Sequence, residues 1–323
     1  MKNIRLSIVG TNFISDRLAE AAALVDGVEI SAVYSRKFDT GAAFAAKHGI
    51  NAVFCDYNEM LASDKVDAVY VASPTFLHRD HTVLALKAGK HVLCEKSIAT
   101  SHDEFLDMQS ASVSSGRVLL EAMRPAHDPF YNVLKAELSH LGKVVSADLE
   151  FKKYSSRYDN FKRGVVENAF NPELKNSALS DIGVYPMWLA VALFGSPSAV
   201  SSASKRLANG FDADGIVSLK YPGFDCRVHY SKIVEGTSPS VIRCEMGEVR
   251  IDKISEPHTL EVITEKGAKT IVHPTPCNNN MFFELAAFRD MILGKADYLP
   301  YLSTSDVLMR AMDAAVNNVT YIE

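Results

Sequence analysis

The first third of the chain alternates short, nearly all-apolar runs with stretches of helical spacing, and few architectures accommodate that order. Ile4–Val9, Val28–Tyr34, Ala52–Phe54, Val66–Val71, His91–Cys94 and Val118–Glu121 read as strands. Phe13–Val25, Ala42–Lys47, Arg79–Lys87 and Asp103–Ser114 read as helices between them, the third ending at Gly89. Strands this apolar need cover on both faces, and a parallel sheet between helical layers supplies it. Residues 1–122 are therefore expected to form a doubly wound α/β domain.

From residue 123 the pattern changes. Val144–Phe151, Ala199–Arg206, Gly215–Tyr221, Cys226–Ile233, Val241–Ile254, Leu260–Glu265 and Lys269–His273 read as alternating strands, with a tight hairpin at Tyr221-Pro222-Gly223. Helices are expected at Phe130–Ser139, Asp181–Phe194, Met281–Leu293 and Ser305–Asn317. Residues 123–323 are thus expected to form an α+β domain on a large, mainly antiparallel sheet with one face open. That face needs a cover, and a second copy of the chain, in a homodimer or higher homo-oligomer, is the natural one.

Composition excludes several classes of function. The 323 residues are 47% hydrophobic and 23% charged, which fits a folded globular chain and not a disordered one. A formal charge of −5 gives no basis for binding nucleic acid or an anionic membrane. The longest apolar run, Val184–Phe194, has 11 residues including a proline, where about 20 are needed to cross a bilayer. Ile4–Val9 is too short for a secretory leader. Cys55, Cys94, Cys226, Cys244 and Cys277 form no metal-spaced cluster and read as reduced thiols of a cytoplasmic protein, with no metal site.

Gly10-Thr11-Asn12-Phe13-Ile14-Ser15 joins the first strand to the first helix, where a dinucleotide fingerprint would place glycine at 12 and 15 as well. Asn12 enters the left-handed region more readily than most residues, and Ser15 is small enough for close helix–strand packing. The helix end still offers N–H groups and a positive dipole to a pyrophosphate, although any strand–helix turn of such a fold reads alike. The second strand runs into Ser35-Arg36-Lys37, where an NAD-selective site would carry an acidic residue. A hydroxyl and a guanidinium suit a 2′-phosphate, so NADP is expected in preference to NAD unless the loop is simply solvated.

Two further segments carry a resemblance. Ala72-Ser73-Pro74-Thr75-Phe76-Leu77-His78 follows the strand Val66–Val71, and Ala88-Gly89-Lys90-His91-Val92-Leu93-Cys94-Glu95-Lys96 contains the next one. With Glu121-Ala122-Met123-Arg124-Pro125 and Asp181-Ile182-Gly183-Val184-Tyr185-Pro186, they make the chain resemble the Gfo/Idh/MocA oxidoreductases along its whole length. Ser97 stands where that family usually has proline. The resemblance implies an N-terminal Rossmann domain, a C-terminal α/β domain built on an open sheet, and NAD(P)-dependent hydride transfer. The Asp-Ile-Gly-x-Tyr-Pro wording is similar to the NADP-dependent branch that includes dihydrodiol and D-xylose dehydrogenases. Inositol dehydrogenases tend to carry His where Tyr185 stands. The implied substrate is a sugar, a polyol or a related cyclic alcohol.

The same resemblance singles out site residues. Lys96, just past a buried strand, would hydrogen-bond the substrate oxygen, its pKa lowered by partial burial. Asp181 and Tyr185 would share a helix face, with Pro186 requiring the helix to begin just before it or to bend there. Tyr185 would exchange the proton, tuned by the Lys96 cation, or the two roles would be reversed. Asp181 would bind a substrate hydroxyl or that lysine. Gly10, Thr11, Asn12, Phe13, Ile14, Ser35, Arg36 and Lys37 would hold the cofactor, with Ser73, Pro74, His78, Glu95 and Lys96 toward its nicotinamide half. Arg124 and His127 would line the substrate cleft or pack between domains. Lys175 would alter the pocket, since Lys175-Asn176-Ser177 replaces glycines usual in relatives. A noncatalytic dinucleotide-binding sensor is the competing reading.

Overall fold

The computed structural model describes residues 3–275 and 278–322, so Cys277 and the extreme ends lie outside the described residues. The chain divides into two compact units, one formed by 3–127 with 278–303 and the other by 128–275 with 304–322. Cys94, Cys226 and Cys244 are buried free thiols, and Cys55 is an exposed one.

In the first unit, strands β1 (Ile4–Val9), β2 (Val28–Tyr34), β3 (Val53–Phe54), β4 (Ala68–Val71), β5 (His91–Glu95) and β6 (Leu119–Ala122) build one parallel sheet. Helices α1 (Phe13–Ala22), α2 (Phe38–His48), α3 (Tyr57–Ala62), α4 (His78–Lys87) and α5 (His102–Ser115) alternate with them, and α6 (Arg124–His127) follows β6. β4 is buried at every position, as a strand covered on both faces must be. The strand order β3-β2-β1-β4-β5-β6 reverses direction between β1 and β4. Loops leaving the carboxyl ends of those two strands open the crevice where such sheets bind ligands.

The second unit contains α7 (Pro129–Ser139), β7 (Val144–Lys152), α8 (Ser156–Lys162), α9 (Val184–Phe194), β8 (Ala199–Arg206), β9 (Asp212–Tyr221) and β10 (Phe224–Ser231). β11 (Ser240–Cys244), β12 (Gly247–Ile251), β13 (Thr259–Thr264) and β14 (Gly267–Val272) continue it. After them α10 (Met281–Ile292) packs on α1 and adds Met281, Leu285, Phe288 and Met291 to the first unit's core. Finally α11 (Leu299–Asn317) leads into β15 (Val319–Ile322). The nine-stranded sheet runs β14-β13-β12-β11-β7-β10-β9-β8-β15 and is antiparallel except at β7/β10 and β8/β15.

Several expected elements differ. The single strand expected over Val241–Ile254 is two, because the chain turns at Glu245-Met246 into the β11/β12 hairpin. The buried positions Ile242 and Cys244 give way to Val249 and Ile251, and that change of phase is the mark of the turn. The last helix begins at Leu299 and not at Ser305; Pro300 sits in its first turn, where no N–H partner is required. The short elements α3, α8 and β15 had no strong period to reveal them. Residues Val184–Val191 of α9 are all buried. On the exposed strand positions Asp148 receives Arg227 at 2.8 Å and Arg243 at 3.0 Å, and Arg250 meets Glu248 at 2.7 Å. The face expected to demand a cover is thus partly neutralised by ion pairs of its own.

Candidate functional site

The turn after β1 is built on Gly10, whose φ of +105° excludes other residues and whose added Cβ would lie 2.7 Å from the Ala72 carbonyl oxygen. Asn12 does not take the left-handed conformation expected of it. Its φ of −86° and ψ of 177° are extended, and it is the N-cap of α1. Its Oδ1 accepts from the N–H groups of Ile14 (3.1 Å) and Ser15 (3.2 Å), while its Nδ2 donates to Ala72 O at 3.0 Å. The side chain thereby closes the first helical turn and ties it to the end of β4. The backbone N–H groups of Thr11, Asn12 and Phe13 have no acceptor among the described residues, and Phe13 is exposed beside them. Past β2, the buried Ser35 Oγ donates to Lys37 O at 2.9 Å, and Arg36 and Lys37 stand exposed on the turn so formed. His81, unmarked by sequence reasoning, joins this region. Its Nδ1 lies 2.9 Å from Ser73 Oγ, and its ring 6.0 Å from that of Tyr34.

After β4, Pro74 opens a 3₁₀ turn over Thr75–Leu77. His78 is buried with Nε2 2.8 Å from Ser73 O and Nδ1 2.9 Å from Ser97 O, so it clamps the loop after β4 to the loop after β5. Burial pushes its pKa down to about 4, against the pull of those carbonyls. Lys96 is half-buried immediately past β5, and the Lys96–Ser97 peptide is cis. Glu95 points inward. Its Oε1 accepts from Tyr70 OH at 2.6 Å and its Oε2 from the backbone N–H of Lys96 at 3.1 Å. Burial raises the Glu95 pKa, with the Lys96 cation opposing it. Nearby on α10, Glu284 is fully buried with neither carboxyl oxygen hydrogen-bonded among the described residues; burial, reinforced by Glu95, raises its pKa as well. Arg124 donates to Asn280 Oδ1 at 3.1 Å and offsets the charge of both glutamates. The His127 ring packs 4.6 Å from that of Tyr301, and its buried Nε2 has no partner among the described residues.

In the second unit a π-helical turn over Leu179–Gly183 precedes α9, so Pro186 falls in the first turn of that helix, as expected. Gly183 lets this turn press on β10: an added Cβ would come within 3.1 Å of Tyr230 Cγ. Tyr185 is buried, its ring 5.6 Å from that of Phe151. Asp181 forms a 2.8 Å ion pair with Lys232, a residue that no motif had marked. Lys175 is exposed and holds a left-handed φ of 59°, the conformation that glycine adopts most readily. No group of residues able to hold a metal occurs among the described residues, and no helix among them is long and apolar enough to cross a membrane.

Residues 4–123 match the model of an oxidoreductase family with an NAD-binding Rossmann fold, Gfo/Idh/MocA. The chain is 43% identical to the NADP(+)-dependent scyllo-inositol 2-dehydrogenase IolU of Bacillus subtilis, over 90% of this chain and 88% of that one. It is 29% identical to a trans-1,2-dihydrobenzene-1,2-diol dehydrogenase of Macaca fascicularis, over 68% and 65% of the two chains. Among solved structures, a 3-ketoreductase from Actinomadura kijaniata, in complex with NADP and TDP-benzene, shares the fold with a TM-score of 0.90 at 22% identity over 99% of both chains. The chain belongs to the Gfo/Idh/MocA oxidoreductases, and is an NAD(P)-dependent dehydrogenase or reductase.

Proposed function

We propose that this protein interconverts a secondary hydroxyl and a carbonyl on a cyclic polyol or sugar, using NADP. The observation that carries the reading is the turn after β1, where three backbone N–H groups without acceptors among the described residues follow a glycine that has no room for a side chain. Those features fit a pyrophosphate, held over Gly10 by the N–H groups of Thr11, Asn12 and Phe13 at the positive end of α1, while the Ile14 N–H is already taken by Asn12 Oδ1. Arg36 and Lys37, exposed on the turn that the Ser35 hydroxyl closes from within, fit a 2′-phosphate, and the similarity to an NADP(+)-dependent inositol dehydrogenase supports both cofactor and substrate class. The nicotinamide, when bound, supplies or accepts the hydride.

The chain's own residues handle the oxygen and its proton. In the direction of reduction the Tyr185 phenol gives its proton to the substrate oxygen, and the Lys96 ammonium donates a hydrogen bond to the substrate oxygen. Oxidation runs the same transfers backward. The Asp181 carboxylate accepts a hydrogen bond from a neighbouring substrate hydroxyl. Ser73, Pro74 and His78 shape the loop beside Lys96, and Glu95 anchors its backbone. Arg124 and His127 act from within the first unit, as charge compensation and packing.

Fluorescence titration with NADPH and NADH, followed by turnover on inositols, pyranoses and cyclic diols, tests this reading. Tight NADPH binding with no turnover on any of them would instead support a noncatalytic sensor. Arg36→Asp should weaken NADPH binding by about 10- to 100-fold, the worth of a lost charge-assisted contact, and leave NADH binding the same or better. An unchanged NADPH/NADH ratio would remove Arg36 from the site. We further propose that copies associate through the exposed face of the nine-stranded sheet; a monomer by light scattering overturns that.

A further inference from the structure

Lys232 follows β10 directly, and its side chain is only 6% exposed while that of its partner Asp181 is 44% exposed. Its backbone is fixed on both sides. The N–H donates to Ala213 O at 2.9 Å, and the carbonyl accepts from Ser155 N–H at 3.0 Å. The ammonium lies 2.8 Å from Asp181 Oδ2 and 3.1 Å from Ala169 O, with the ring centroids of Phe170 and Phe211 at 4.8 and 5.5 Å. Two N–H groups are thus directed at oxygens, and aromatic faces take up the remaining positive field. Phe170 and Phe211 are themselves fully buried and packed on one another at 4.8 Å, so the cage is rigid.

Asp181, by contrast, sits in the middle of a five-residue π-helical turn and reaches toward solvent. A carboxylate so placed would sample several rotamers unless something committed one of its oxygens. We propose that Lys232, held by Phe170 and Phe211, is a positioning residue that sets the direction in which Asp181 presents its carboxylate to a substrate hydroxyl. This rests on the reading of Asp181 as a hydroxyl acceptor. Lys232 lies beneath the carboxylate and acts through it, fixing beforehand the orientation that binding would otherwise have to impose.

Lys232→Met keeps the length of the apolar stem and removes the charge. With scyllo-inositol, myo-inositol and D-glucose as probes and the fastest of them used throughout, Asp181→Asn should raise KM about 10-fold or more, the scale of a hydrogen bond to a charged group. Lys232→Met should raise KM about 5-fold while kcat stays within about twofold, and the double variant should be no worse than Asp181→Asn alone. Thermal unfolding checks that each variant is folded; if Lys232→Met is not, Lys232→Gln is measured against the same criteria. A KM raised by Asp181→Asn but untouched at Lys232 overturns the proposal, as does a double variant whose losses multiply. A KM unmoved by Asp181→Asn, or no turnover of any probe, overturns the underlying reading instead, and the proposal with it.

Discussion

A Lys96→Met variant is expected to bind NADPH as the unaltered protein does and to turn over its substrate about a thousandfold more slowly, within the range that a positioned proton-transfer apparatus contributes. The separation of binding from rate follows from the layout of the first unit. Lys96 leaves the end of β5, and its N–H is tied to a Glu95 that Tyr70 locks in place at 2.6 Å. The turn at Gly10 and the basic turn at Arg36, proposed to hold the nucleotide, lie at the ends of β1 and β2. Methionine keeps the stem and removes only the donor, so the cofactor's contacts survive while charge developing on the substrate oxygen loses its partner. Tyr185→Phe should cost a similar factor. If Lys96 works through the phenol, the double variant should be little slower than either single one. Stopped-flow following of nucleotide absorbance in a single turnover measures this; a Lys96→Met rate within threefold of normal would remove the lysine from the chemistry.

What could be read in the sequence was what local rules determine. β4 throughout and β5 over Val92–Cys94 are runs of apolar residues, which leaves them only the middle of a covered sheet, and Gly10 stands where no side chain fits. Asn12 shows the limit of such rules, since the same short amide that favours left-handed backbone also favours helix caps, and only the path to Ala72 O decides. Lys232 was invisible for a different reason. Its meaning comes from Asp181, Ala169 and Phe211, distant in sequence and brought together by the fold. Glu284 did leave a trace. With Met281, Leu285 and Phe288 buried on α10, the glutamate falls on the inward stripe, where a charge needs an explanation.

Acidification from pH 7 toward pH 4.5 should destabilise the first unit through histidines that fold in the neutral form, and His127→Phe should relieve part of that loss. His127 has a buried Nε2 with no partner among the described residues, and burial pushes its pKa down to about 4. His91 accepts the Val118 N–H on Nδ1 at 3.1 Å; burial, with the Arg117 guanidinium adding to it, likewise pushes it down to about 4. An unfolded histidine titrates near 6.5, so between there and 4 the unfolded chain binds more protons than the folded one. Stability contributed by these rings is therefore complete above pH 6.5 and lost as pH falls, by up to about 3 kcal/mol for each. Raised carboxyls work in the opposite sense. Glu95 and Glu284 oppose the loss within the first unit, and in the second unit burial lifts Asp212 to about 7 even though Tyr230 OH donates to it at 3.0 Å. For that reason the difference between variant and parent is the measurement, not the raw slope. Phenylalanine retains the ring packed on Tyr301 and removes the proton site, so the Tm of His127→Phe relative to the parent should climb steadily as pH drops from 6.5 to 4.5. A difference that stays flat across that interval would mean that His127 already carries its proton in the folded chain, and that its buried nitrogen is solvated.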